Sequence, residues 1–191
     1  MTKTPLILGF ATSGPFCAAA LVRGDEMLAS VGEDMARGQA ERLMGLLDET
    51  LQSQAVTWAD LDGLGVATGP GNFTGIRIGV AAARGLALGL GIPAYGVTGF
   101  QSGARLAEPG RTVVIPAPRN MVYVRQAGQT HLVPRGDVET PAAVPAPEML
   151  AQAVALYAVS LWPASAPSPA PYYVRSPDAA PARDAPPTLL E

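Results

Sequence analysis

The sequence predicts an α/β fold. Three observations carry that prediction: short apolar runs joined by tight turns at the start, a segment of helical period after them, and then a strand, a glycine-rich turn and a helix in succession.

Leu6 to Phe10 is an apolar run ended by Thr12-Ser13-Gly14-Pro15, the pattern of a buried strand and a turn. Cys17 to Val22 is a second run, and the hairpin signal Gly24-Asp25 leads into a third, Met27 to Val31. An antiparallel meander is the economical arrangement. From about Gln39 to Gln54 the period changes, with Ala40, Leu43, Met44, Leu47 and Leu51 at helical spacing and charged residues between them. Thr57 and Asp60 resemble a capping box opening a short helical turn, and Leu64 to Thr68 reads as a buried strand. Gly69-Pro70-Gly71-Asn72 breaks that strand, and a second helix runs from Phe73 to Leu90, stopped by Gly91-Ile92-Pro93. A further helix is expected from Val97 through Leu106, with strands at Thr112 to Ile115 and Met121 to Arg125.

Beyond Gly110 the composition shifts: 15 of the 19 prolines lie from Pro109 onward, and only Glu148 to Leu161 keeps a helical pattern. The run PASAPSPAP and the segment from Ser176 buries too little apolar surface to offset ordering entropy, so linker, edge or disordered tail is expected there.

With 191 residues, 48% of them apolar, the chain can build a genuine core. Its net charge of -3 lacks the positive field of a free-standing nucleic-acid binder, so any such contact is expected to be shared with a partner. Cys17 is the only cysteine and His131 the only histidine, which excludes an intrachain disulfide, a cysteine zinc cluster and a paired-histidine metal site. The opening residues show no leader-like apolar region, and the most membrane-like stretch, Ile76 to Tyr95, is interrupted by Arg77, Arg84 and Pro93. A cytoplasmic protein without a membrane span is expected.

The segment GPGNFTGIRIG, Gly69 to Gly79, is the most specific feature. Its glycines permit a tight turn, and the helix start offers backbone N–H groups and a partial positive charge, making Gly69, Gly71, Asn72 and Thr74 candidates for an anion site. It lacks the Lys-Ser/Thr of a P-loop. The competing reading is structural: Gly75, Gly79, Ala82 and Leu86 share one helical face, smooth enough for close packing on a sheet. Arg77 and Arg84, on the opposite side, are either solvated charges or part of a partner surface.

The stretch GPGNFTGIRIGVAAARGLALGLGIP closely resembles the signature of the TsaB (YeaZ) family, whose typical form has Ser at Asn72 and Leu at Ile76. Leu6 to Ser13, Gln39 to Leu43 and Pro171 to Arg175 extend the resemblance over nearly the whole chain. It implies an actin-like, sugar-kinase-like fold with a ribonuclease H-like motif: a first subdomain over residues 1–100, a smaller, proline-rich second one over 101–175, and a flexible tail over 176–191. It also implies a non-catalytic subunit that binds and stabilises a TsaD-like catalytic subunit, alongside a TsaE-like ATPase, in tRNA threonylcarbamoyladenosine biosynthesis. ATP and magnesium are then expected on the partner subunits, with tRNA bound only within the complex.

The chain departs from the family pattern where chemistry would matter. The first strand normally ends Asp-Thr-Ser and here ends Ala11-Thr12-Ser13; the Asp-Ala-Arg of the second subdomain appears as Pro116-Ala117-Pro118-Arg119; and the usual His of the first helix is Gln39. Both candidate magnesium-holding carboxylates are gone, which argues against independent ATP hydrolysis. No G-x-S-x-G is present, His131 has no evident orienting acid, and Cys17 reads as an inert core thiol. No catalytic, cofactor or metal residues are therefore assigned.

The expected partner surface is formed by the two long helices, through Leu43, Leu46, Leu47 and Leu51 on the first and Phe73, Arg77, Val80 and Arg84 on the second, and a homodimer would use the same surface. The alternatives are a nucleotide- or anion-binding regulatory module, an ATP-dependent small-molecule kinase, or a glycoprotein peptidase of the kind once attached to the family's name.

Overall fold

The computed structural model describes residues 3–174. β1 (Leu6–Ala11), β2 (Phe16–Arg23) and β3 (Glu26–Asp34) form the antiparallel meander, with Gly24 at φ 58° in the turn between the last two. α1 (Gln39–Gln52) leads to β4 (Gly63–Ala67), which lies parallel to β1. α2 (Phe73–Leu90) then leads to β5 (Ala94–Val97), parallel to β4. The resulting five-stranded sheet has the order β3-β2-β1-β4-β5, the ribonuclease H-like arrangement of the actin-like fold.

Strand β5 escapes a sequence reading because it has only four residues, follows Pro93 directly and contains Gly96.

The sheet is covered on both faces, and strand alternation sorts its side chains between them. Leu6, Leu8, Phe10, Cys17, Ala19, Leu21, Leu64 and Val66 pack against the leucines of α1 and the inner face of α2. Ile7, Ala18, Ala20, Val22 and Tyr95 face the other way. That second face is covered by α4 (Pro147–Leu161), whose Ala151, Ala155 and Ala158 lie against it. The approach is close: a Cβ at Gly9 would stand 2.6 Å from the Ala155 Cβ, and one at Gly65 would stand 3.0 Å from the Val154 carbonyl oxygen. Small residues on both partners thus set the spacing between helix and sheet.

α3 (Gly99–Leu106) is capped by Thr98 and packs beside α4, with Gln101 Nε2 donating to the Tyr157 hydroxyl at 2.8 Å. A second, antiparallel sheet follows: β6 (Ile115–Ala117), β7 (Met121–Gln126) and β8 (Gln129–Pro134). The strand expected from Thr112 shrinks to Ile115 onward, because Thr112 instead exchanges backbone hydrogen bonds with the Thr140–Ala142 segment. Small Val114, Val122 and Val124 form this sheet's buried cluster.

The packing does not divide at residue 100. α4 covers the second face of the first sheet, and α3 packs between α4 and the Val113–Ile115 segment that leads into the second sheet. Part of the proline-rich run is also laid down in order: Pro169 is buried, Tyr95 donates to the Ala164 carbonyl at 3.0 Å, and the Tyr172 amide donates to the Thr68 carbonyl at 2.8 Å. The expected tail, 176–191, lies outside the described residues.

Candidate functional site

A cleft of about 1030 Å³ opens between the loops at the ends of the first sheet's strands and the β6–β7 hairpin. Gly14 and Pro15 from the β1–β2 turn, Gly71 and Asn72 from the β4–α2 turn, and Ala117, Pro118 and Arg119 from the hairpin meet there, joined by Tyr172 and Tyr173. The residues that directly follow Ala11-Thr12-Ser13 and the Ala117–Arg119 segment thus both line this cleft. Among the described residues, Arg119 is the only charged one in its lining. Among the described residues no group of three metal-ligating side chains exists. Magnesium on a triphosphate is generally held through carboxylate as well as phosphate oxygens, and among the described residues this lining offers no carboxylate.

The glycine-rich turn is built for contact with the β1–β2 turn. The Asn72 amide donates to the Ser13 carbonyl at 2.7 Å. A Cβ at Gly71 would fall 2.1 Å from that oxygen, and one at Gly75 1.9 Å from the Thr12 carbonyl oxygen. Thr12 Oγ1 closes the arrangement by donating to the Gly75 carbonyl at 2.7 Å. Asn72 caps α2, its Oδ1 accepting from the Gly75 amide at 3.0 Å. Two donors that an anion would need, the amides of Asn72 and Gly75, are therefore already engaged. Gly69, at φ 97°, turns its carbonyl to the Gly99 amide at 2.8 Å, while Thr74 is exposed on the first turn of α2. The turn serves packing first.

The helical surface differs from the expected one at five of its eight residues. Leu43, Leu46, Leu47 and Leu51 are at most 1% exposed and Val80 is 3% exposed. They face the sheet because α1 and α2 each turn their branched apolar stripe inward, so none of the five is available to a partner. Arg77 and Arg84 are exposed, as is Leu88 at 87%, and Met44 shows on the outer side of α1. Phe73 is half-buried: its ring stacks on Tyr173 with centroids 4.9 Å apart, and the Arg77 guanidinium lies 3.8 Å over it while its Nε donates to the Tyr173 hydroxyl at 2.8 Å. This stack ties the outer start of α2 to the C-terminal segment. Sequence spacing gave no signal for a contact across 96 positions.

The remaining titratable groups are structural. Burial, reinforced by the charge of Glu33, pushes the Cys17 thiol up to about 11, so it is neither nucleophile nor metal ligand at neutral pH. Gln39, in the place of the family's histidine, is buried and donates to the Met35 carbonyl at 3.2 Å. His131 is exposed on β8.

The sequence profile of the family described as TsaD, tRNA N6-adenosine threonylcarbamoyltransferase, matches residues 30–152. The chain belongs to this family. Its relatives include proteins named TsaB. It is 32% identical over 126 residues to the tRNA threonylcarbamoyladenosine biosynthesis protein TsaB of Haemophilus influenzae, covering 63% of this chain and 52% of that one. An uncharacterized protein of Mycobacterium tuberculosis is 38% identical over 120 residues, 61% of this chain and 56% of that one. The chain spans about half the length of the curated relatives it matches. The crystal structure of an uncharacterized Pseudomonas aeruginosa protein with similarity to peptidase YeaZ superposes with a TM-score of 0.72 at 22% identity, over 90% of this chain and all of that one. That likeness shows that the two chains share one fold over most of their length.

Proposed function

We propose that the chain serves tRNA threonylcarbamoyladenosine biosynthesis as a non-catalytic subunit that binds and stabilises a TsaD-like catalytic subunit in the cytoplasm. The observation that supports this reading is the cleft: in a family whose members include a transferase, its lining among the described residues contains no carboxylate to hold a metal-bound triphosphate. ATP and magnesium, a TsaE-like ATPase and tRNA then belong to the assembled complex.

The partner surface in this proposal is the outer side of α1 and α2: Met44, Phe73, Arg77, Arg84 and Leu88. An almost fully exposed leucine flanked by arginine suits a partner contact, where apolar anchors and arginine are both effective. A homodimer of the isolated chain would use the same surface and compete with the complex.

The test is size-exclusion chromatography with light scattering, mixing the chain with the TsaD homologue from its own source. The expected result is a stoichiometric complex that Leu88→Asp and Arg84→Glu abolish while both variants keep the wild-type melting temperature. No association of the wild-type chain, with nucleotide and tRNA also supplied, would overturn the proposal. In that event an anion- or nucleotide-responsive regulatory module becomes the better reading, favoured by the size of the cleft itself.

A further inference from the structure

A second cavity, of about 630 Å³, lies away from the cleft and from the outer helical face. Its lining comes from three elements and one connecting segment: Phe100, Gln101, Ala104 and Arg105 of α3, Arg125 of β7, Tyr157 of α4, and the Arg111–Val113 segment. Among the described residues, three of those lining it are arginines and none is acidic, in a chain whose net charge is -3. Like charges gathered in one concavity repel one another and focus a positive potential, so their natural complement is an anion.

The arginines are free to take one. Arg105 and Arg125 form no salt bridge among the described residues, and Arg111 meets only Glu108, at 3.6 Å and with both side chains well exposed, a pairing worth little. The cavity also holds groups that would orient a ligand. Gln101 Oε1 is occupied by the Thr98 amide and hydroxyl, and its Nε2 donates to the Tyr157 hydroxyl, so that the hydroxyl accepts and keeps its own proton to donate. Phe100, Ala104 and Val113 supply an apolar wall beside these polar groups. A few convergent polar groups, an apolar wall and this volume are the features of a small-molecule site.

We propose that this cavity binds a phosphate-bearing ligand of nucleotide type, with phosphate oxygens on Arg105, Arg111 and Arg125, a flat ring against Phe100 and Val113, and the Tyr157 hydroxyl donating to the ligand. The forked guanidinium geometry suits phosphate oxygens, and the same chemistry is offered by a free nucleotide and by a nucleotide within an RNA strand. The inference does not depend on the partner-subunit reading: it concerns other residues on another surface.

The test uses the full chain, with isothermal titration of pyrophosphate, AMP and ATP in one arm and fluorescence anisotropy of a labelled single-stranded oligoribonucleotide in the other. Saturable binding is expected in at least one arm, weakened about tenfold by each of Arg105→Gln and Arg125→Gln, the loss typical of a hydrogen bond to a charged group, while Arg23→Gln leaves it unchanged. Binding of AMP or ATP identifies the free-nucleotide source. Binding of the oligoribonucleotide alone, with a salt slope reduced by about 0.7 per arginine removed, identifies the polymer. The three arginines are exposed, so the variants fold, and unchanged melting curves verify that. No saturable binding in either arm at millimolar ligand, or binding that both arginine variants leave intact, overturns the proposal.

Discussion

Gly75 lies under the Thr12 carbonyl, and the cost of any side chain there follows from the 1.9 Å to which a Cβ would approach that oxygen. The neighbour is backbone within the β1–β2 turn and cannot swing aside. Gly75→Ala is therefore expected to destabilise by about 2 kcal/mol or more, which for a domain of this size lowers the melting temperature by roughly 5 °C. Asn72 gives the complementary case. Because its side chain acts as the cap of α2, Asn72→Ala should cost about 1 kcal/mol in urea unfolding, whereas Asn72→Ser, restoring the family's usual residue, should be nearly neutral. Arg42 links β3 to α1 by hydrogen bonds to Glu33 and Glu49, which hold both carboxylates below their ordinary value of 4.5. A lowered folded pKa means that the stabilisation is complete above pH 4.5 and is lost as pH falls through the depressed values. The stability deficit of Arg42→Gln should thus be largest near neutrality and shrink below pH 4.5; a deficit constant with pH would show that charge is not its source.

At the scale of elements, α1 and α2 each present two faces with different consequences for mutation. Leu47→Asp or Val80→Asp places a charge in the sheet–helix layer and should abolish the cooperative melting transition, whereas Leu88→Asp should leave it in place. The contrast shows how far the sequence can be read. Helical spacing located α2 to the residue and identified its glycine face, since Gly75 and Gly79 are buried against Thr12 and Val66. Spacing also put the α1 leucines together on one side, but an amphipathic stripe looks the same whether it meets its own sheet or another chain. The charged residues opposite the stripe were the better guide to the outer surface. Tyr173 was invisible for a different reason: its stack with Phe73 and Arg77 depends on where the last segment crosses α2, which no local pattern encodes.

For the molecule as a whole, strands β1 to β4 were legible in the sequence, while the edge strand β5 and the distribution of helices between the sheets were not. The signal for α4 was present in Gly9 and Gly65, interior strand positions without side chains, and in the alanines that meet them. The two sheets differ in what holds them. The first is buried on both faces, whereas the second rests on a few valines, so amide exchange should be markedly faster in β7 and β8 than in β1 and β4. Equal protection in both sheets would show that they open only together. The covering of the first sheet by α4 also bears on how the protein is born. During synthesis from the N-terminus, all five strands leave the ribosome before the helix that shields their second face, so an apolar surface made of Ile7, Ala18, Ala20, Val22 and Tyr95 waits bare until residue 161 has emerged. A nascent chain stalled at residue 110 is accordingly one that a holdase chaperone should grip, and release of that grip should coincide with the arrival of α4.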